Sequence, residues 1–161
     1  MYVLLSHHPV RPQHSHQNDG LREELAPLLQ DIAPALSIAE EAFGNKPDTI
    51  NFWFGDSRAV SKVHKDPYEN MYCVVRGAKH FTLLPPASGA FMYEAPFQPA
   101  RYVFKASGTA EVVVQHDEEP VPWIPVDVHS PDLKRHPLMK HAAPVSCTVK
   151  PGETLVTTTQ Q

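Results

Sequence analysis

Apolar positions recur along this chain with two different periods, and the change between them divides it. Between Leu21 and Phe43 the residues Leu21, Leu25, Leu28 and Leu29 follow one another at spacings that line one face of a helix. Asp19 reads as the N-cap of that segment, and Pro34 as a break before a second helical turn over Ala35–Phe43, closed by Gly44 as C-cap. Beyond Thr49 the period becomes two. Ile50–Phe54, Met71–Val75, Lys79–Leu84, Arg101–Phe104, Glu111–Val114, Val145–Lys150 and Thr154–Thr158 read as short strands. The turns at Arg76-Gly77-Ala78, Ser107-Gly108 and Pro151-Gly152 are expected to fold neighbouring strands into hairpins. Trp123–Val128 is extended and punctuated by proline, and Asp132–Met139 is a loop or a short helical turn. The start, Met1–Leu5, suits a strand but has no local partner, so residues 1–20 are expected to be a mobile leader ahead of a domain over 21–161. The fold class that follows is mainly β with a short N-terminal helical segment, a barrel or double-sheet jelly roll.

Composition narrows this reading without changing it. A chain of 161 residues fits a single domain, given a prior of about 150 residues per domain. Seventeen prolines against seven glycines favour many short elements joined by stiff turns. The apolar runs are far shorter than the roughly 18 residues that cross a bilayer, so no membrane partner is expected. A formal charge of −4 makes nucleic acid a poor partner as well. Cys73 and Cys147 stand apart with no C-x-x-C spacing, which argues against a disulfide scaffold or structural zinc. With no export signal legible, a reducing compartment, cytoplasmic or nuclear, is expected.

Chemistry concentrates in Ser61-Lys62-Val63-His64-Lys65-Asp66-Pro67-Tyr68-Glu69-Asn70. On an extended chain His64 and Asp66 point to one side about 7 Å apart, so imidazole and carboxylate can share a cation. They would be two arms of a two-histidine, one-carboxylate triad that leaves open positions on Fe(II). An H-x-D tripeptide alone is common by chance. Downstream, Lys79 shares a strand face with Phe81 and Leu83, while His80, Thr82 and Leu84 share the other. Either Lys79 snorkels to solvent from a surface hairpin, or its ammonium is desolvated and suited to a ligand carboxylate. The histidines among residues 7–16 form a tract that could hold a metal, although a solvated tail is the simpler reading. His80 points away from Lys79 by the alternation, and His116, His129, His136 and His141 read as solvated loop residues.

The run Asn51-Phe52-Trp53-Phe54-Gly55, then His64-Lys65-Asp66 with Tyr68-Glu69-Asn70, Tyr72-Cys73-Val74-Val75 and Gly77-Ala78-Lys79-His80-Phe81, resembles a jumonji-C domain of the lysyl-hydroxylase type. The likeness continues through Val121-Pro122-Trp123-Ile124-Pro125-Val126-Asp127, Pro131-Asp132-Leu133 and Cys147-Thr148-Val149-Lys150-Pro151-Gly152-Glu153, covering roughly residues 20–155. The resemblance implies a partial double-stranded β-helix of the cupin type and an oxygenase dependent on Fe(II) and 2-oxoglutarate. It implies His64 and Asp66 as iron ligands, Lys79 as the partner of the distal carboxylate of 2-oxoglutarate, and Asn70 and Ser61 as polar lining of the co-substrate pocket. The implied reaction couples oxidative decarboxylation of 2-oxoglutarate to succinate with hydroxylation of a lysyl residue in a protein substrate, developmentally regulated GTP-binding proteins for the type it resembles. The third ligand in that family is a histidine beyond the Gly-Glu turn matched by Gly152-Glu153. Here no histidine follows His141, and the family's C-terminal dimerisation region has no counterpart in the sequence. Impaired activity is therefore expected of these residues alone, with a non-catalytic cupin-like binding module as the alternative.

Overall fold

The computed structural model describes residues 2–7, 19–32 and 36–158. Its elements in chain order are β1 (Tyr2–His7), α1 (Ser37–Phe43), β2 (Thr49–Trp53), β3 (Glu69–Val74), β4 (Lys79–Leu83), β5 (Ala95–Phe97), β6 (Ala100–Phe104), β7 (Ala110–Val114), β8 (Val121–Trp123), β9 (Val145–Val149) and β10 (Thr154–Thr157), with short 3-10 turns between some of them. They divide into two compact units, one of Met1–Ser61, Lys65–Pro86 and Pro144–Gln161, the other of Lys62–His64 and Ala87–Ala143. The mainly β class expected from the period-two pattern is what the chain adopts.

In the first unit, an antiparallel sheet runs in the order β10-β3-β1-β2. Residues 2–7, within the stretch read as a mobile leader, form β1, and its partners are remote in sequence. β1 lies between β2 and β3, with Leu4 in register with Asn51 on one side and Tyr72 on the other. The histidine tract beyond β1, including His8, His14 and His16, lies outside the described residues, as do the Pro34 break and Gln161.

The leucine-rich segment is less helical than its spacing predicts. It runs through turns into a 3-10 turn at Ala26–Gln30, with proline in its first positions, before α1. Asp19 does not cap a helix with its side chain. One carboxylate oxygen accepts the Ile50 amide of β2 at 2.7 Å, and the other accepts Arg22 Nε at 2.6 Å. The segment is thereby tied to the sheet edge, which the Leu21 amide reinforces by donating to the Ile50 carbonyl at 3.0 Å. Gly44 does close α1, in the left-handed conformation at φ 71°. Leu21, Ala39, Ile50 and Met71 make the core, with Leu25, Leu28, Leu29 and Phe52 packed against it. Leu21 is fully buried, so Leu21→Ala should destabilise the chain by about 2–5 kcal/mol in urea denaturation.

Two of the three expected hairpins are absent. β3 does not pair with β4, nor β9 with β10; β3 pairs with β10 and β4 with β9. Each short connection instead carries the chain from one sheet to the other, as an arch. Gly77 and Gly152, both at φ 84°, supply the left-handed residue at the two corners, where a side chain would be strained. The arches are stitched together at the corner, Gly152 N donating to the Val74 carbonyl at 3.1 Å and Val74 N to the Glu153 carbonyl at 3.3 Å. A change of sheet within a few residues is the construction of a jelly roll.

In the second unit, β6 and β7 form the hairpin expected around Ser107-Gly108. β8 pairs with β5, a strand the sequence pattern did not suggest because Pro96 sits at its centre. A 3-10 turn at Pro137–His141 ends the loop region near Asp132–Met139.

Candidate functional site

The arches decide how the site residues meet. On β3, alternation places Met71 in the core beside Ile50, so Asn70 and Tyr72 stand on the opposite face of the sheet. Asn70 is only 2% exposed, a buried amide that requires a partner. It donates from Nδ2 to Asp66 Oδ2 at 3.0 Å, and the Tyr72 hydroxyl donates to the same oxygen at 3.5 Å. Across the layer, the Tyr72 ring meets Phe81 of β4 edge to face, centroids 5.0 Å apart. Lys79 Nζ lies 5.9 Å from the Phe81 centroid, within cation–π range. A continuous contact chain thus runs Asp66, Asn70 and Tyr72, Phe81, Lys79.

The register of β4 with β9 settles which way Lys79 faces. Lys79 stands opposite buried Val149, and Phe81 opposite half-buried Cys147. The other face of the pair is polar and hydrogen-bonded to itself: His80 Nδ1 meets Thr148 Oγ1 at 2.7 Å, and Thr82 Oγ1 lies 3.5 Å from Ser146 Oγ. His80 points away from Lys79, as the alternation predicts. Lys79 is half-buried on the face it shares with Phe81.

His64 is exposed and belongs to the second unit, whereas Asp66 belongs to the first. The extended geometry expected of His64-Lys65-Asp66 does not extend to a regular strand; this stretch has no sheet partner. His64 Nδ1 lies 2.7 Å from the Lys62 carbonyl. A carbonyl only accepts, so in the neutral ring Nδ1 carries the proton and Nε2 the lone pair, the tautomer a metal ligand needs. The imidazole is also stacked on Trp123, the planes 4° apart. Ser61 is exposed and lies outside the contact chain that links Asp66 to Lys79. Nearby in the second unit, the His129 amide donating to Asp127 at 3.0 Å holds that carboxyl below the usual carboxylate range.

A cupin-like domain family matches residues 4–157 of the chain. The chain belongs to the cupin-like jumonji-C family. It is 45% identical over 139 residues to the human bifunctional peptidase and (3S)-lysyl hydroxylase JMJD7, covering 86% of this chain and 44% of that protein. It is 41% identical over 152 residues to JmjC domain-containing protein E of Dictyostelium discoideum, covering 87% of this chain and 43% of that one. The lysine-specific demethylase JMJ32 of Arabidopsis thaliana is 37% identical over 147 residues, 86% of this chain and 43% of its own length. The chain therefore spans less than half the length of these curated relatives.

His64 and Asp66 are side-chain types that can donate to a divalent cation, and they belong to different units. His64 donates its second ring nitrogen to a carbonyl, and Asp66 is hydrogen-bonded by two side chains, the outer-sphere support that metal ligands carry. Among the described residues, no group of three or more His, Cys, Asp or Glu side chains gathers to hold a metal ion. Tyr72 and Phe81, which join the two ends of the site, had no role assigned from sequence. Their signal was the period-two alternation that puts Tyr72 on the face of Asn70 and Phe81 on that of Lys79. In the segment that begins with β8, Ile124 and Val126 are buried, and Trp123 is 42% exposed.

Proposed function

We propose that this chain carries the co-substrate pocket and two metal ligands of an Fe(II)- and 2-oxoglutarate-dependent protein hydroxylase acting on lysyl residues. The observation that carries the reading is the contact chain from Asp66 through Tyr72 and Phe81 to Lys79. It sets a hydrogen-bonded carboxylate and a half-buried ammonium at two ends of one inner face. His64 and Asp66 would hold the iron. When bound, the iron supplies the redox chemistry that couples decarboxylation of 2-oxoglutarate to hydroxylation. Lys79 pairs its ammonium with the distal carboxylate of 2-oxoglutarate, where partial burial strengthens a charge-assisted hydrogen bond. Asn70 fixes the Asp66 carboxylate, and Ser61 contributes a hydroxyl to the rim of the pocket. Phe81 and Tyr72 keep water from the space between. The substrate is a protein, with a lysyl side chain as the acceptor of oxygen, and the compartment is the cytoplasm or nucleus.

A second reading is favoured by the absence of a three-donor cluster among the described residues. In it, the 161 residues bind 2-oxoglutarate without turning it over. The purified chain, supplied with Fe(II) and 2-oxoglutarate, should form succinate at a rate indistinguishable from the His64→Ala variant, while 2-oxoglutarate still binds in calorimetry with Mn(II). Succinate formation that His64→Ala abolishes would establish a complete site and overturn the second reading. No binding of 2-oxoglutarate at millimolar concentration to the folded chain would overturn both.

A further inference from the structure

We propose that the outer edge of β6 pairs with the same edge of a second copy of this chain, joining two hairpins into one four-stranded sheet about a two-fold axis at Tyr102. β6 and β7 form a two-stranded sheet of their own, and a lone hairpin is marginal unless further strands or a helix support it. One face of the hairpin carries Ala100, Tyr102 and Phe104 of β6 opposite Val114, Val112 and Ala110 of β7, all apolar and all exposed. The two aromatic side chains, Tyr102 and Phe104, are 72% and 76% exposed. Natural sheets cover or charge such an edge, because an unpaired apolar strand is a template for another strand.

The backbone decides which groups of β6 are available to a new strand. The Gln115 amide donates to the Pro99 carbonyl at 2.8 Å, and the Lys105 amide donates to the Thr109 carbonyl at 2.8 Å. Bonded and non-bonded pairs alternate in an antiparallel ladder. Pro99, Arg101, Val103 and Lys105 therefore turn their peptide groups toward β7, and Ala100, Tyr102 and Phe104 turn theirs outward. A second β6, running antiparallel about an axis at Tyr102, presents the same outward residues. Tyr102 then stands opposite Tyr102 of the second copy, and Ala100 opposite Phe104, so every outward N–H and C=O of the strand gains a partner. The side chains fit as well: each phenylalanine ring lies beside a methyl group, and the two tyrosines make a cross-strand aromatic pair.

Charge selects both this register and this occupant. An axis moved one residue back, to Arg101, would set two Arg101 side chains against each other, and an axis moved one residue on, to Val103, would set Arg101 against Lys105. With the axis at Tyr102, Arg101 faces Val103 and no like charges are opposed. A lysine-rich peptide is a poorer occupant, because exposed Arg101 lies along the same strand. The β7 edge, with Ala110, Val112 and Val114 turned outward, has no aromatic ring to cover. One strand pair falls short of the roughly 800 Å² per partner of a standard interface, so the association is weak and reversible.

The test uses the full chain, with sedimentation equilibrium for association and NMR-detected amide exchange for its location. The parent should dimerise with a dissociation constant on the order of 0.1 mM. Tyr102→Lys sets two ammonium groups against each other at the axis and should weaken dimerisation at least about tenfold. Its melting temperature should match the parent's, since the side chain is exposed in the single chain. Val112→Lys adds the same charge to the same face, but on β7, and should stay within about threefold of the parent. The amides of Tyr102 and Phe104 should exchange about fivefold more slowly at millimolar than at micromolar protein, while those of Val112 and Val114 are unchanged. A parent that stays monomeric to about 1 mM would overturn the inference. Parent-like dimerisation of Tyr102→Lys would overturn it too, by placing the contact elsewhere. Equal losses in the two lysine variants would assign the contact to the apolar face and not the edge, and protection of Val112 and Val114 in place of Tyr102 and Phe104 would assign it to β7; either result rejects pairing through β6.

Discussion

Lys79→Ala is expected to weaken 2-oxoglutarate binding about ten- to hundredfold while the domain remains folded. The size follows from what the ammonium does. A hydrogen bond to a charged group contributes roughly 1.5–3 kcal/mol, and each 1.4 kcal/mol is a factor of about ten in affinity. Lys79 is half-buried beside Phe81 on the inner face of β4, so its attraction for a carboxylate is screened less than at an open surface. Folding should tolerate the change, because Lys79 belongs to β4 through its backbone pairing with Val149 and is not a member of the core around Leu21 and Ile50. Lys79→Arg separates charge from fit: it keeps the cation but enlarges it, and should bind more weakly than the parent and more tightly than Lys79→Ala. Calorimetric titration of 2-oxoglutarate with Mn(II) present checks all three. Equal affinity in Lys79→Ala and the parent would remove the assigned role.

Much of this site was legible in the sequence, because it depends on alternation along single strands. Period two alone puts Lys79 with Phe81 and His80 on the other side, and the Phe81–Tyr72 and His80–Thr148 contacts follow that division. What the sequence hid was which strands pair. A glycine between two apolar runs reads as a hairpin at Gly77 and Gly152, yet both glycines turn arches. Local residues fix the left-handed corner but not whether the chain returns along the same sheet or crosses to the facing one. That choice is made by remote partners, β10 for β3 and β9 for β4. The difference matters chemically. In a hairpin, Lys79 would have been a neighbour of β3 in one sheet; in an arch it faces Tyr72 across the layer through Phe81. β1 teaches the same lesson, since its apolar run was visible and its partners, β2 and β3, lie far along the chain. Asp19 failed for a related reason: its position suits a helix cap, but the Ile50 amide of a strand edge takes its carboxylate.

Asp66→Ala should abolish measurable Mn(II) binding and, unlike Lys79→Ala, should also lower stability. Two effects of different origin are combined in it. The first is loss of a ligand: outer-sphere substitutions cost metal sites about 10- to 100-fold in affinity, and removing a charged donor itself costs more. The second concerns Asn70. Its amide is buried and donates to Asp66 Oδ2, with Tyr72 donating to the same oxygen. Taking that acceptor away leaves a buried donor to find another, a loss of about 1–3 kcal/mol. Asp66→Asn divides the two. Its side-chain carbonyl can still accept from Asn70 and Tyr72, so stability in urea should stay near that of the parent, but its neutral oxygen is a far weaker ligand for a divalent cation. Asn70→Ala makes the converse comparison, sparing the ligand and removing only its support, and should fall between the parent and Asp66→Asn in Mn(II) affinity. The order parent, Asn70→Ala, Asp66→Asn, Asp66→Ala in affinity, with Asp66→Asn stable, is what a supported metal ligand requires. If Asp66→Asn bound Mn(II) as the parent does, Asp66 would be a structural acceptor for Asn70 and Tyr72 alone. The contact chain to Lys79 would then serve the layer packing of the jelly roll and not a metal.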